Sequence, residues 1–423
     1  MTKQFKILIS AYACEPDKGS EPEVGWQWAL QLARFNHVWV LTRTNNKTHI
    51  EASKATERYQ NLHFIYCDLP KYISWWKKGQ RGVHLYYVLW QIFATVNGYK
   101  LHRKIKFDFC HHLTFSPFYQ PPFLSLLPIP FIWGPLGGGE KLPFKFLRIF
   151  QKKYIAREVI RILIKKLALV NPVVIYAMVK SKIIISSTHE TYKAIPKIFR
   201  NKVVKEMQIG MSQEDIAKVI NKENDEFTLI TAGRQNYWKA HILIIQAFAQ
   251  FLKKNHCVAR LKIIGRGSEN FRLKSAVKEL GIENSVVFIP FLPKRSDVLL
   301  AFSQADVFIY SSLLECAGYV VLEALSQGTP VICLNLPGPG EIVNGTCGIT
   351  VSCDCPTNTI KNISNAIEKL YYNEQLLDKM TKSAPVRVKS KYYWPTKGER
   401  LQSYLIETFC KKNIQSREDL SCS

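Results

Sequence analysis

Acidic residues are scarce in this chain. Asp and Glu together number 33 in 423 residues, against 58 Lys and Arg, so the formal net charge is +25. An imbalance of this size predicts an anionic partner: nucleic acid, acidic lipid head groups or phosphorylated small molecules. The sequence has no helix-turn-helix, RNP or KH signature, and we therefore expect that the partner is not nucleic acid.

Cysteine pairs and long apolar runs are also missing. The eleven cysteines form no C-x-x-C pair and have no regular spacing, so neither a zinc site nor a disulfide framework is predicted. No uninterrupted apolar stretch reaches the ~20 residues of a transmembrane helix. The N-terminus enters a short strand pattern without a signal-peptide pattern. We therefore expect reduced cysteines and a cytoplasmic location.

Two successive stretches of the chain alternate apolar strand patterns with helical patterns. KILISAY, HVWVLTR and NLHFIYCDL lie in the first stretch, and FTLITAG, ARLKIIG and VVFIPF lie in the second. Such alternation is typical of a doubly wound α/β fold, and the length fits two domains of about 200 residues. We predict a Rossmann-like domain over residues 1–210, a polar linker over 212–227 and a second Rossmann-like domain over 226–391.

Residues 311–330, SSLLECAGYVVLEALSQGTP, carry two carboxylates eight positions apart, Glu315 and Glu323, with Gly318 between them. The pattern ADVFIYSS before them predicts a strand, and the apolar run that leads into Glu323 predicts a helix. Glu315 is then expected in the loop at the carboxyl end of its strand, and Glu323 about one turn into the helix. Open α/β sheets bind their ligands at that edge.

Two cations follow the first strand of the second stretch. Gly233 and Arg234 end the strand pattern FTLITAGR, and Lys239 comes five residues after the arginine. Positive groups at the carboxyl end of a strand suit a diphosphate leaving group, whose negative charge grows as the bond to the transferred group breaks. Gly265 follows the next strand pattern in a glycine-rich turn. This combination predicts a phosphate-binding edge.

A loop in the first domain has similar properties. Gly19, Ser20, Glu23 and Gly25 lie in a segment that precedes a predicted helix, and amide groups at the amino end of a helix attract phosphate. The loop is equally compatible with an ordinary βα turn. A carboxylate from Glu23 would repel a diphosphate, so either this side chain points away or diphosphate binding is altered.

Several of these motifs occur in an order and spacing that resemble glycosyltransferase family 4, whose members are retaining enzymes with the GT-B fold. The resemblance covers nearly the whole chain and is strongest over residues 227–352. It implies two Rossmann-like domains that face each other across a cleft, with a C-terminal helix over 392–410 that packs back on the first domain. The motifs are Gly233-Arg234…Lys239, Gly265-x-Gly267, Glu315…Glu323 and Gly338-x-Gly340-Glu341.

The resemblance also implies roles for these residues. Arg234 and Lys239 would hold the diphosphate of a nucleotide sugar without a bound metal, and Glu323 would hold its ribose. Glu315 would contact the donor sugar. The remaining donor-binding residues would be Gly233, Gly265, Phe291, Gly318, Tyr319 and Val320.

The first domain supplies the other half of the expected site. In the family, a histidine after the strand FDFCHH lies near the donor sugar, and we predict His112 for this role, with His111 as the alternative register. The loop of Gly19, Ser20, Glu23 and Gly25 resembles a family loop that faces the donor diphosphate and the acceptor. This chain has Glu23 where the family has glycine.

Residues 141–205 contain sixteen Lys and Arg but only Glu158 and Glu190 as acids. Within them, KKYIAREVIRILIKKLALV has apolar residues at helical spacing with basic residues between them. A basic amphipathic helix is typical of binding to an anionic membrane surface. The alternative is a helical insert whose charges are solvated.

The expected activity is a retaining hexosyl transfer from a UDP- or GDP-sugar to a saccharide or lipid-linked acceptor, in cell-surface glycan biosynthesis at the inner face of the membrane. A different GT-B enzyme, such as an epimerase or a phosphorylase, is one alternative. A non-catalytic or altered nucleotide-sugar-binding relative is another, because of Glu23. A membrane- or nucleic-acid-binding protein that depends on charge alone is the third.

Overall fold

The computed structural model describes residues 3–77, 79, 81–216 and 226–410, and the chain divides into two compact units. The rest of the predicted linker (217–225) and the C-terminal tail after 410 lie outside the described residues. The first unit comprises Met1–Gly139, Leu163–Ile209 and Trp394–Ser423, and the second comprises Glu140–Ile162 and Gly210–Tyr393.

Strands and helices alternate along both units. The strands are β1 Lys6–Ser10, β2 His37–Thr42, β3 Leu62–Tyr66, β4 Phe109–His112, β5 Phe131–Leu136, β6 Ser181–Ser186, β7 Val203–Lys205, β8 Phe227–Ala232, β9 Ala259–Ile264, β10 Val286–Ile289, β11 Val307–Tyr310, β12 Val331–Leu334 and β13 Gly348–Val351. The helices are α1 Ser20–Ala33, α2 Lys47–Glu51, α3 Lys54–Arg58, α4 Lys71–Ser74, α5 Val83–Ile105, α6 Lys152–Ala168, α7 Pro172–Lys180, α8 His189–Ala194, α9 His241–Asn255, α10 Asn270–Glu279, α11 Arg295–Ser303, α12 Tyr319–Ser326, α13 Pro339–Ile342, α14 Pro356–Tyr371, α15 Glu374–Lys391 and α16 Trp394–Phe409.

The first unit is built on a parallel sheet with the strand order β3-β2-β1-β4-β5-β6-β7. Its central strands are buried almost end to end, as in KILIS of β1, because both faces of a parallel sheet are covered. The chain winds from β1 out to β3 and then resumes at β4 on the other side of β1. The carboxyl ends of β1 and β4 therefore form a topological switch point, where ligands bind in such sheets.

Helix α16 packs on α1 in the first unit. The rings of Trp28 and Trp394 meet edge to face with centroids 5.8 Å apart. The Lys397 ammonium is fully buried and pairs with the Glu206 carboxylate. The segment 392–410, which the resemblance assigns to a returning helix, corresponds to α16.

The second unit repeats this architecture with a parallel sheet of order β10-β9-β8-β11-β12-β13. Its strands are short apolar segments such as VFIY of β11, which is buried throughout. β8 and β11 are the neighbours at its switch point. The predicted fold class, two doubly wound Rossmann-like sheets, is confirmed.

Residues 140–162 group with the second unit, whereas the predicted boundaries placed them in the first domain. Phe146 and Phe150 belong to the hydrophobic core of the second unit. Tyr154 stacks on Tyr237 with ring centroids 4.1 Å apart. These aromatic contacts explain the difference, because no strand pattern marks this segment as part of the second unit.

Helices α6 and α7 carry much of the basic apolar sequence. Within the described ranges, no single helix is both long enough and apolar enough to cross a bilayer. α6 and α7 meet these criteria only as a pair, and they are bent by 58° at the break between them.

Candidate active site

Three polar side chains meet at the carboxyl edge of the second sheet, beside its switch point. Tyr310 ends β11, Glu315 lies in the following loop, and Lys239 lies in the turn after β8. The Tyr310 hydroxyl donates to Glu315 Oε2 at 2.6 Å, and Lys239 Nζ donates to the Tyr310 hydroxyl oxygen at 2.5 Å. Lys239 also forms a short ion pair with Glu315. We refer to these three residues as the trio.

The trio favours an ionised carboxylate. Burial acts to raise the pKa of the Glu315 carboxyl, but the Lys239 ammonium and the Tyr310 hydroxyl hold that pKa below its usual range. Burial and the neighbouring Glu315 charge raise the pKa of Tyr310, so its hydroxyl keeps its proton at neutral pH. The site therefore combines a negative carboxylate with a neutral hydroxyl donor.

Backbone contacts hold the turn of Lys239 against the loop after β11. Ser311 Oγ lies 2.9 Å and 3.0 Å from the carbonyl oxygens of Lys239 and Ala240, between which its proton is shared. The amide of Leu313 donates to the carbonyl of Trp238 at 2.8 Å. Because two loops are joined in this way, the members of the trio have a fixed spacing.

Helix α12 begins directly after the loop of Glu315. Gly318 precedes it with a φ of 71°, and a Cβ at this position would lie 2.9 Å from Pro339 Cγ, so glycine is required on both grounds. The first amide groups of a helix point out of its amino end and attract anions. Tyr319 and Val320 supply them here. The predicted residues of this stretch thus occupy one helix start.

Glu323, the predicted ribose ligand, lies on α12 and is held by Arg295. Arg295 Nε donates to Glu323 Oε1 at 2.9 Å, and the same guanidinium forms a short ion pair with Asp215. Burial raises the pKa of the Glu323 carboxyl, although the Arg295 charge opposes the rise. Sequence reasoning missed Arg295 and Asp215, because the two lie 80 positions apart and no linear motif joins them.

Glycines after β8 and β9 let two loops touch. Gly233 and Gly265 have φ values of 146° and 130°, and a Cβ on Gly265 would overlap the Gly233 carbonyl oxygen. Arg234, next to Gly233, is exposed. Phe291, just beyond β10, has 67% of its surface exposed. All four lie past the carboxyl ends of parallel strands, on the edge that carries the trio.

The positive charges at this edge come from protein groups. Lys239 and Arg234 follow β8, and the amino end of α12 adds a partial positive charge. In the part of the chain that the structure describes, no group of three or more His, Cys, Asp or Glu side chains could hold a metal ion.

The predicted phosphate loop of the first unit connects β1 to α1. Gly19 and Ser20 have φ values of 65° and 54°, so the chain turns sharply where α1 begins. Gly25 lies in the second turn of α1, and a Cβ there would overlap the Ala13 carbonyl oxygen. The glycine thus allows α1 to approach the loop that leaves β1.

Glu23 lies in the first turn of α1, and its side chain is directed toward the preceding loop and the next turn of the helix. Its side chain is buried, its Oε2 accepts from the Asp17 amide at 3.0 Å, and its Oε1 accepts from the Gln27 side chain at 2.8 Å. An acid near the amino end of a helix is also favoured by the helix dipole. These contacts show how a carboxylate is accommodated where the family resemblance has glycine.

His111 and His112 end β4 at the switch point of the first sheet, and both are buried. His111 Nε2 lies 2.6 Å from the Gly134 carbonyl oxygen and donates to it. Burial lowers the pKa of His111 to about 4. Burial and the neighbouring His111 lower the pKa of His112 to about 3. Both rings are therefore neutral at physiological pH.

The contacts of His112 favour one tautomer of its ring. The Tyr87 hydroxyl lies 3.1 Å from His112 Nε2 and 3.3 Å and 3.0 Å from the carbonyl oxygens of Thr114 and Phe115. Carbonyl oxygens cannot donate, so the tautomer in which His112 Nε2 donates to the Tyr87 oxygen is the one that leaves the Tyr87 proton for a carbonyl oxygen. His112 Nδ1 is then an acceptor, and it is buried without a hydrogen-bond partner among the described residues.

The chain has the fold of glycosyltransferases of known structure. It resembles the Anabaena protein HepE, solved in complex with UDP and glucose, with a TM-score of 0.60 and 16% identity over 96% of this chain and 100% of that one. At this identity the likeness shows the fold alone. The fold is therefore the GT-B class, as predicted.

A family model matches part of the chain. Residues 212–387 match the family model of the group 1 glycosyl transferases, and this stretch includes the trio and Glu323. The predicted resemblance to a glycosyltransferase family is confirmed over these residues.

Curated relatives match part of the chain. An uncharacterized glycosyltransferase of Methanocaldococcus jannaschii is 28% identical over 194 residues, 45% of this chain and 48% of that protein. Alpha-monoglucosyldiacylglycerol synthase of Streptococcus pneumoniae is 33% identical over 137 residues, 32% of this chain and 31% of that protein. The chain thus spans half the length, or less, of these relatives.

Proposed function

We propose that this chain is a retaining glycosyltransferase of family 4. It transfers a hexose from a nucleoside diphosphate sugar to a saccharide or lipid-linked acceptor in cell-surface glycan biosynthesis. The observation that carries the proposal is the trio of Lys239, Tyr310 and Glu315 next to the amino end of α12. A cation and a helix start suit a diphosphate, and an ionised carboxylate suits the positive charge that develops on the sugar.

The residues then have separate tasks. Lys239, Arg234 and the first amides of α12 stabilise the departing diphosphate, the task of a divalent metal in other enzymes. Glu315 faces the sugar as it becomes oxocarbenium-like, and Glu323 binds the ribose. Departure and attack occur on the same face of the sugar, with the phosphate as base, so no second catalytic carboxylate is needed. His112 has the role that the resemblance implies, which is to orient the sugar or its hydroxyls.

The donor is a UDP- or GDP-sugar, and no other cofactor is needed. HepE was solved with UDP and glucose, which supports UDP as the first nucleotide to test. A second candidate function is nucleotide-sugar binding without turnover. It is favoured by one observation, the carboxylate of Glu23, which stands where the family resemblance has glycine.

Thermal stability in the presence of UDP or GDP tests the proposal. A ligand at 100 times its Kd stabilises the folded state by about 2.7 kcal/mol. One nucleotide should raise the Tm of the wild type in the presence of a metal chelator, and Glu323→Ala should abolish the rise. Glu279→Ala on the exposed end of α10 is the control and should keep it.

Turnover separates the two candidate functions. With a panel of UDP- and GDP-sugars and saccharide or glycolipid acceptors, release of the nucleotide identifies the enzyme. Binding without release from any donor supports the second candidate, and a wild type that binds neither nucleotide contradicts both.

The same proposal places the protein at the cytoplasmic face of an anionic membrane. Helices α6 and α7 carry a row of exposed apolar side chains flanked by lysines and arginines, which suits an anionic bilayer surface. The one acid of these helices, Glu158, is buried and paired with Arg161. The most exposed apolar side chains of the two helices and the break between them are Val159, Ile160, Ile162, Leu163, Leu167, Val170 and Val179.

Vesicle flotation tests the membrane proposal. The wild type should float with vesicles that contain phosphatidylglycerol and remain in solution with phosphatidylcholine alone. Leu163→Gln with Leu167→Gln should weaken flotation at least about ten-fold, because two exposed apolar side chains that would insert into the bilayer surface are lost. The control, Val258→Gln with Val386→Gln, changes two residues that are 76% and 65% exposed elsewhere. Equal flotation of both double variants contradicts the assignment to α6.

A further inference from the structure

Tyr310 lies between the two charged members of the trio. Its side chain is only 4% exposed at the end of β11, and its ring stacks near Phe308 with centroids 6.1 Å apart. An ammonium group has no lone pair and an ionised carboxylate has no proton. The hydroxyl therefore accepts from Lys239 at 2.5 Å and donates to Glu315 at 2.6 Å.

Under the proposed function, the donor diphosphate competes with Glu315 for the Lys239 ammonium. When the Lys239 ammonium turns to phosphate oxygens, the Glu315 carboxylate loses its opposite charge while only 21% of its side chain is exposed. Low exposure without an opposite charge favours protonation of a carboxylate. The Tyr310 hydroxyl and the backbone amide of Ala317 then remain as donors. Among the described residues, Lys239 and Tyr310 are the titratable groups that interact with this carboxylate.

We propose that Tyr310 is a positioning residue, which keeps the Glu315 carboxylate ionised and in place while Lys239 binds the donor diphosphate. The inference rests on the proposed function, because it requires a nucleoside diphosphate sugar at the trio. Tyr310 acts through Glu315 and makes no contact with the reacting atoms. Its ring is fixed at the end of a buried strand, so the hydroxyl keeps its position when the charges around it change.

Proton uptake on UDP binding gives a direct test. Calorimetry at pH 6 in two buffers of different ionisation enthalpy should show for the wild type only the proton change of UDP itself, whose terminal phosphate titrates at about pH 6. Relative to the wild type, Tyr310→Phe should take up about one additional proton per bound UDP, because Glu315 then loses both the hydroxyl and the ammonium. The double variant Tyr310→Phe with Glu315→Gln should lose this uptake.

The outcomes separate the inference from the proposed function. Failure of the wild type to bind UDP or GDP overturns the proposed function, and the inference with it. Binding of UDP by Tyr310→Phe without proton uptake in excess of the wild type overturns the inference alone, as does excess uptake that persists in the double variant.

Steady-state kinetics give the second readout. In Tyr310→Phe, kcat should fall about 10- to 100-fold, because a misplaced group costs rate, with a smaller change in the KM of the donor. The acidic limb of the kcat profile, which reports the enzyme–substrate complex, should move to higher pH. Unchanged profiles overturn the proposal.

Tyr86→Phe is the matched control in the first unit. It removes a buried hydroxyl that donates to Asp68 Oδ1 at 3.0 Å, with Lys77 Nζ 5.3 Å from the ring centroid. The lost contacts resemble those of Tyr310, so the two variants should lose similar thermal stability. Only Tyr310→Phe should change the pH profile, which distinguishes positioning from a structural role.

Discussion

At the scale of single residues, Glu23 decides whether the first-unit loop can face a diphosphate. Its carboxylate is bonded to the Asp17 amide and the Gln27 side chain, so its charge is partly satisfied within its own loop. We expect Glu23→Gln, which removes the charge and keeps the shape, to change the Kd for UDP by less than about 2-fold. Isothermal titration at low salt measures this.

A repulsive Glu23 would give a different result. If the charge faces the diphosphate, Glu23→Gln should tighten UDP binding by about 10-fold or more, which corresponds to about 1.4 kcal/mol. Gln27→Leu is a useful companion, because it removes one hydrogen bond to Glu23 without changing the net charge.

Arg295 forms an ion pair with Glu323, the second carboxylate of the Glu315…Glu323 motif. Its guanidinium forms ion pairs with both Glu323 and Asp215, whose side chains are 13% and 16% exposed. We expect Arg295→Met to lower the free energy of unfolding by about 2–4 kcal/mol, because two partly buried carboxylates lose their shared counter-charge. Urea unfolding of the single variant measures the loss. In the double variant Arg295→Met with Glu323→Gln, part of this free energy of unfolding should return. Equal losses in the single and double variants would show that the Arg295–Glu323 ion pair does not account for the loss.

Sequence patterns located the charged site residues better than their partners. Lys239, Glu315 and Glu323 stand at strand ends or helix starts, where residue type and position are both informative. Tyr310 reads as the last apolar residue of a strand pattern, and nothing marks its hydroxyl as a hydrogen-bond partner. Arg295 begins a helix like any surface arginine. Such pairings form when loops that follow different strands come together in the fold. Local sequence patterns do not show which loops come together.

At the scale of elements, α16 is attached to the first unit by a buried ionic contact. Lys397 pairs with Glu206, and Arg400 donates to both oxygens of the same carboxylate at 2.8 Å and 2.9 Å. Burial acts to raise the pKa of Glu206, but Lys397 and Arg400 hold that pKa below its usual range. The attachment therefore depends on pH.

Acid should weaken this attachment. Because the pKa of Glu206 is lower in the folded state than in the unfolded state, its contribution is complete above the unfolded value of about 4.3 and is lost as the pH falls through the folded value. We expect the free energy of unfolding of the wild type to fall below pH 4.3 partly for this reason. Glu206→Gln should be less stable at pH 7 by about 3–5 kcal/mol, because the Lys397 charge stays buried without its partner.

Glu399→Gln is the matched control on the same helix. Its side chain is 58% exposed in a pair with Arg34, and such pairs contribute little. Unfolding measured from pH 7 to 3 should show a reduced acid slope for Glu206→Gln and the wild-type slope for Glu399→Gln. An acid slope that is unchanged in Glu206→Gln would contradict the assignment.

Element order was predictable, and the position of residues 140–162 was not. Alternating strand and helix patterns define both sheets, because buried parallel strands need apolar residues on both faces. The segment 140–162 has no strand pattern, and its place depends on Phe146 and Phe150 in the core of the second unit. Aromatic residues of this kind fit any core of suitable shape.

At the scale of the whole molecule, each unit has a hydrophobic core of its own, which predicts two unfolding transitions. Ile184→Val in the first core and Ile263→Val in the second remove the same methylene from fully buried sites. Each should destabilise its own unit by about 1 kcal/mol and lower the Tm of one transition by roughly 2–4 °C. Scanning calorimetry thus assigns the transitions to the units.

The assigned transitions then locate nucleotide binding. The group 1 glycosyltransferase match, the trio and Glu323 all lie within residues 210–393. UDP at 100 times its Kd should therefore stabilise the unit marked by Ile263→Val by about 2.7 kcal/mol, and Glu323→Ala should abolish that shift. A shift confined to the transition marked by Ile184→Val would place the nucleotide in the first unit instead. A single transition whose Tm both isoleucine variants lower equally would contradict independent cores, because each lost methylene would then destabilise both units together.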